Sequence, residues 1–190
     1  EGDWRRTEDD WRAAGGPTAD VAGALVGEQL VLEVHVRARE PYFAPATAHN
    51  PLDNEHPDVN SSGIQLYFGQ HQPTDPALPP PAPDAAWLLV PEAAPRVRVT
   101  PRGGDDDMLP DLDAIWAPAP DGYIMRVSVA REWVADANLL GLHLVVNEMP
   151  RGRERRRGQL VLGGARGEWG YLRGDREDGG RLVYFDTSDA

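Results

Sequence analysis

Residues 30–38, LVLEVHVRA, and residues 63–69, GIQLYFG, decide the fold of this chain. In the first, Leu32, Val34, Val36 and Ala38 alternate with Glu33, His35 and Arg37; in the second, Ile64, Leu66 and Phe68 alternate with Gln65 and Tyr67. Successive side chains of a strand point to opposite faces, so each stretch predicts a strand with one face for a core and one polar face. The Glu40-Pro41 step disfavours continuation of the first strand. The connection over 40–62 carries Asn50-Pro51, Asp53-Asn54, His56-Pro57 and Asn60-Ser61-Ser62. A polar loop of that length in a compact domain is usually functional or disordered.

The same alternation recurs outward from this pair. Trp87–Val90 reads as a short strand, and Arg96–Thr100 as another with Val97 and Val99 inward and Arg96 and Arg98 outward. Asp121-Gly122 signals a turn. After it, Tyr123, Met125, Val127 and Val129 oppose Ile124, Arg126 and Ser128. In the strand 139–147, Leu142, Leu144 and Val146 oppose His143, Val145 and Asn147; Gln159–Leu162 and Leu182–Phe185 complete the set. Residues 1–29 read as a polar lead-in with Trp4 and Trp11 as isolated anchors, punctuated by Gly15-Gly16-Pro17. The prolines at 79–81 and 83 mark a surface excursion, and 131–138 a helical turn or two. Many short strands with turn signals and no helix-length periodicity predict an all-β chain. The expected architecture is an antiparallel β-sandwich of the immunoglobulin or jelly-roll kind with long loops. Residues 1–24 are expected to form an edge segment and 25–190 a single domain.

Composition excludes several functions. At 190 residues with 41% hydrophobic content, one globular domain with a sizeable core is the default. The 20 glycines and 18 prolines fit a turn-rich β fold. A formal charge of −12, from 31 acidic and 19 basic residues, repels nucleic-acid phosphates and anionic lipid, so neither is an expected partner. Every basic residue is Arg, which excludes Schiff-base and P-loop lysines. The absence of Cys removes disulfides, thiolate zinc sites and cysteine nucleophiles. No apolar run approaches the roughly 18 residues of a membrane span. The chain opens at Glu1 without a signal peptide, as expected of a processed protein or a domain excised from a larger one. It carries no G-x-S-x-G, H-E-x-x-H or Walker loop, so catalysis is not expected.

The order of segments resembles family 9 carbohydrate-binding modules and the wider DOMON-related group of β-sandwich domains. The matching pieces are LVLEVHVRA, the polar loop, NSSGIQLYF, PRVRV, DGYIMRVSVAREW, LHLVVNE, and a late Trp followed by Gly and a closing strand, over about residues 25–186. The resemblance implies a non-catalytic module, extracellular or in the cell envelope, that binds a saccharide between aromatic plates. In that comparison Gln65 stands where the family usually has an acid. Arg98 or Arg96 stands at the Arg strand, Asn147 at the family's Asn, and Trp169 at the late Trp; Val59 sits where a loop Trp is expected.

Read from the residues alone, Glu33, His35, Arg37, Gln65, Tyr67, Arg96, Arg98, Arg126, Ser128 and His143 are expected to share one polar sheet surface. Such a surface either recognises sugar hydroxyls beside an aromatic plate or is an ordinary solvated face. Trp87, Trp116, Trp133 and Trp169 are candidate plates or core filler, with Trp169 set in a Gly-rich loop. Asp105, Asp107 and Asp111, with neighbouring Asp106 and Asp113, are candidate calcium ligands, as are Asp53, Asn54, Glu55 and Asp58. The EF-hand spacing is absent, and a solvated acidic turn is the alternative. The expected function is therefore saccharide or glycan binding through Trp169, Arg98, Arg96, Gln65, Asn147 and Tyr67, with other domains of a larger protein as neighbours. Two alternatives remain: a structural or interaction sandwich that has lost the sugar site, and a haem-binding electron-transfer domain using Met125 or Met149 with a His.

Overall fold

The computed structural model describes residues 3–6, 10–49, 56–69, 85–101, 111–130, 139–162 and 183–186. They form an antiparallel sandwich of two sheets. The strands are β1 (Asp3–Arg6), β2 (Thr18–Val26), β3 (Gln29–Arg37), β4 (Ile64–Gly69), β5 (Ala85–Pro91) and β6 (Val97–Pro101). They continue with β7 (Leu112–Ala119), β8 (Gly122–Ala130), β9 (Leu139–Glu148), β10 (Gly158–Val161) and β11 (Val183–Asp186). One 3-10 turn, Pro57–Val59, interrupts the connection before β4. The larger, seven-stranded sheet runs β1-β10-β9-β4-β5-β6, with β11 also paired to β9; the smaller runs β2-β3-β8-β7.

The alternation expected from the sequence sets which side chains meet between the sheets. Leu32, Val34 and Val36 of β3 and Tyr123, Met125 and Val127 of β8 face Ile64, Leu66 and Phe68 of β4 and Leu142, Leu144 and Val146 of β9. Trp87 joins them, its ring edge-on to Phe68 at 5.8 Å, so it fills the core and is not a plate for a ligand. Trp116 is likewise packed on the core, against Phe43 at 5.3 Å. Met125 is wholly buried in the same layer, where it packs among the apolar side chains of the core. Trp133, like the expected helical turns at 131–138 and the proline-rich excursion, lies outside the described residues.

Three strands were not expected: β1, β2 and β7. The two within the segment read as a lead-in, β1 and β2, pair with β10 and β3. The sequence of β2, TADVAGALV, is rich in Ala and Gly, which have low strand propensity, and β7 contains Pro118. Both are sheet edges, where backbone pairing with a strong neighbour holds a sequence that would not be a strand by itself. The β2–β3 connection is the two-residue turn Gly27-Glu28, with Gly27 at φ 59°.

Two contacts place the functional region. Gly63 precedes β4, and a Cβ there would stand 2.5 Å from the Leu89 carbonyl oxygen, so only glycine lets β4 enter flush against β5. The Tyr123 hydroxyl, buried in the core, donates to the Ser62 carbonyl at 2.8 Å and ties the loop entering β4 to the opposite sheet. Burial raises the Tyr123 pKa far above the ordinary phenol range, so this hydroxyl stays a donor at any relevant pH.

Candidate functional site

The polar surface expected from alternation is divided by the sandwich. Glu33, His35, Arg37, Arg126 and Ser128 lie on the outer face of the four-stranded sheet, whereas Gln65, Tyr67 and His143 lie on the outer face of the seven-stranded one. Period-2 reading assigns each side chain to a face of its own strand. It does not say which strands share a sheet.

The two faces differ in character. On the four-stranded sheet, Arg126 pairs with Glu33 at 2.8 Å and Arg37 with Asp20 at 2.5 Å, all more than a third exposed. This face is solvated and laced with exposed ion pairs.

On the seven-stranded sheet, β9 and β4 bring Asn147, Gln65, Tyr67 and His143 side by side, and β10 adds Gln159 opposite Asn147. Each of these five is 4 % exposed or less, together with Ala86, Val145 and Val161 on the same face. The expected wet face is therefore dry. Gln65, Asn147, Gln159 and Tyr67 tolerate this because primary amides both donate and accept, so they link into a row. Gln65 Nε2 and Gln159 Nε2 both donate to Asn147 Oδ1, at 3.0 and 2.8 Å. The Tyr67 hydroxyl donates to Gln65 Oε1 at 2.7 Å, and its ring lies 5.5 Å from that of His143. An acid in place of Gln65 would lack the Nε2–H that reaches Asn147; the amide is what makes the row continuous.

At the β6 end of this face stands a second polar group. Arg98, its side chain 18 % exposed, donates from Nε and Nη2 to Asp58 at 3.2 and 2.8 Å. It also reaches Glu92 at 2.9 Å and the Ala44 carbonyl at 2.8 Å, while Thr100 donates to Asp58 at 3.2 Å. The 3-10 turn Pro57–Val59 holds Asp58 here, with His56 as its N-cap accepting from the Asp58 amide. Asp58 is thus the buried anionic partner of a partly buried guanidinium. The bond to Asp58 is the main reason the Arg98 pKa is raised, so the guanidinium stays charged throughout. Arg96 is separate: its side chain is largely in solvent and pairs with Glu92 at 2.6 Å.

Glu92 accepts from both arginines, and the bond to Arg96, then that to Arg98, holds its carboxyl below the usual range. A lowered folded-state pKa contributes stability above the unfolded value, and that contribution disappears as pH falls through the folded value. Glu92→Gln is accordingly expected to be less stable than wild type near neutral pH and to converge on it below about pH 4. Denaturant titrations from about pH 7 to about pH 3 check this; a gap that stays constant over the range would refute it.

Of the sequence-derived ligand residues, the structure brings Gln65, Tyr67 and Asn147 into one row and sets Arg98 on the same face. It leaves Arg96 at the exposed margin. Trp169, Asp105 and Asp107 lie outside the described residues, and Asp111 is exposed. Among the described residues, no three His, Asp or Glu side chains are grouped to hold a metal. Gln159, Glu92 and Thr100 were missed. They join the site through strand pairing and through contacts from the 3-10 turn, which leave no trace in local sequence.

The fold so defined is a two-sheet β-sandwich of the kind seen in family 9 carbohydrate-binding modules. Two solved structures of such a module from Caldicellulosiruptor kristjanssonii are similar to it. The one in complex with glucose matches over 97% of this chain and 83% of its own, with a TM-score of 0.60 at 13% identity. The one in complex with cellotriose matches over 85% of this chain and 72% of its own, with a TM-score of 0.53 at 15% identity. No protein-family model matches the chain, and no curated protein matches it. Among the described residues, no helix is long and apolar enough to cross a membrane.

Proposed function

We propose that this chain is a non-catalytic carbohydrate-binding module, acting outside the cell or in its envelope, that holds a saccharide on the outer face of its seven-stranded sheet. One observation carries the reading: a row of planar amides, with a charged Arg98 at its margin, on a sheet face of a fold whose solved neighbours hold glucose and cellotriose. Pyranoses present hydroxyl edges and apolar C–H faces, and they need fixed donors and acceptors beside an aromatic plate. Gln65, Asn147 and Arg98 supply the first requirement; Trp169, assigned by the sequence resemblance, supplies the second.

A second reading is favoured by the dryness of the row. Its amides bond to one another, as they would in a sandwich that keeps the polar layer for structural reasons and serves as an interaction domain. Isothermal titration with glucose, cellotriose and a panel of other oligosaccharides separates the two. The module reading expects a saturable heat with at least one of them, weakened roughly tenfold or more in Trp169→Ala, the loss of one aromatic contact. Uniform absence of heat decides for the interaction domain.

A further inference from the structure

A cleft of about 510 Å³ opens on the other side of the molecule, at one end of the four-stranded sheet. Its walls are Gly15–Pro17, Arg37–Pro41 and the β7–β8 turn Ala119–Gly122. Small-ligand clefts span roughly 300–1,000 Å³, so its size is in range. Trp11 adjoins the cleft through two of its wall residues, Gly16 and Pro17. The indole packs on Gly16, where a Cβ would meet the ring at 3.5 Å, and its Nε1–H is anchored to the Pro17 carbonyl at 2.7 Å. Fixed on that side, the residue still leaves 39 % of its surface in solvent. A large aromatic ring that is pinned and yet exposed is the usual form of a stacking plate.

The polar walls are also fixed. Asp121 is bonded to His35 at 3.0 Å and to Arg37 at 3.2 Å, and its backbone carbonyl accepts from the Ala38 amide at 3.0 Å. The bond to His35 chiefly keeps its carboxyl below the usual range, so it remains an acceptor at neutral pH. Arg37 is held from its other side by Asp20. Arg39 and Glu40 are exposed on the same wall, and Glu40 sits at φ 56°, a left-handed conformation that costs a non-glycine residue energy and is concentrated at functional positions.

The charge pattern selects the ligand class. An anion would meet Asp121 and Glu40, and a cation would meet Arg37 and Arg39. A neutral polyhydroxylated ring satisfies carboxylates as a donor and guanidiniums as an acceptor, and it lays its C–H face on an indole. We propose that this cleft is a second saccharide site, with Trp11 as the plate and Asp121, Arg37, Arg39 and Glu40 as hydroxyl partners. It is independent of the sheet-face site on the opposite side of the sandwich.

Amide and indole NMR of the ¹⁵N-labelled chain, titrated with cellotriose and with mannose- and galactose-based trisaccharides, tests it. At least one probe is expected to shift the Trp11 indole N–H and the Gly15, Gly16 and Gly122 amides, saturating with a dissociation constant near the millimolar range. Trp11→Ala and Arg39→Ala should each weaken these shifts roughly tenfold, and Trp11→Tyr, which keeps a ring but not the Pro17 bond, should recover most of the loss. The proposal is overturned if these resonances stay still with every probe at about ten times a millimolar dissociation constant, or if the three glycine amides move equally in Trp11→Ala. The side-chain amides of Gln65 and Asn147 report the sheet face separately, so failure at one site is distinguishable from failure at the other.

Discussion

Arg98→Ala is expected to lower the unfolding free energy by about 3 kcal/mol, the low end of the cost of stripping one partner from a buried ion pair, because Asp58 is buried and Arg98 only partly exposed. For a chain of this size that is a fall in Tm of roughly 6–12 °C. The reason is the position of Asp58, almost wholly buried in the 3-10 turn, whose carboxylate keeps, among the described residues, Thr100 and a long contact to His56 once the guanidinium is gone. Arg98 also accounts for a bond to Glu92 and one to the Ala44 carbonyl, so its loss leaves Thr100 to hold the 3-10 turn to β6. Lysine in its place keeps a charge but cannot reach three partners in a fork, so Arg98→Lys is expected to recover less than half of the loss. Adding Asp58→Asn to Arg98→Ala should restore stability, because the uncompensated charge has gone. Chemical denaturation of wild type, Arg98→Ala, Asp58→Asn and the double variant measures this cycle, with Arg98→Lys alongside. An Arg98→Ala variant within about 1 kcal/mol of wild type would mean that the pair carries no more than a surface bridge does.

The second large effect belongs to Asn147. Its Oδ1 accepts from Gln65 and Gln159 together, so Asn147→Ala leaves two buried amide donors without that acceptor, at about 1–3 kcal/mol each. A loss of about 3 kcal/mol follows, with a small cavity between β9 and β10 adding to it. Replacing the whole row at once should be milder than breaking it. Gln65→Leu, Tyr67→Phe, Asn147→Leu and Gln159→Leu combined remove donors and acceptors together, which is close to neutral where shape is kept. The combined variant is expected to be more stable than Asn147→Ala alone and to give no heat with any saccharide that binds the wild type. Thermal unfolding and titration on the same samples check both halves. Equal destabilisation of the two variants would show that packing, and not hydrogen bonding, dominates this face.

Alternation along each segment was legible from the residues, and so was the core. Leu32, Val34, Ile64, Leu66, Met125 and Leu144 all face inward where period 2 puts them. Of the three strands that escaped notice, β2 and β7 are edges whose Ala-, Gly- and Pro-containing sequences have weak preferences of their own; a neighbour's backbone makes them strands. For the candidate site, Gln65, Tyr67 and Asn147 were recognised as polar positions, but their dryness and Gln159's share in the row were not. Burial and cross-strand partnership are properties of three strands together, with Asn147 lying 82 positions beyond Gln65.

What the chain determined by itself is the identity of its faces, because a side chain's direction on a strand follows from its parity alone. What only the tertiary structure decided is which faces coincide. It set Glu33 and Gln65 on opposite outer surfaces and brought Asp58 under a guanidinium 40 positions away. It also turned a row expected to bind water into one that binds itself. Those outcomes depend on strand order and on contacts from distant segments, and parity along one segment holds no information about either.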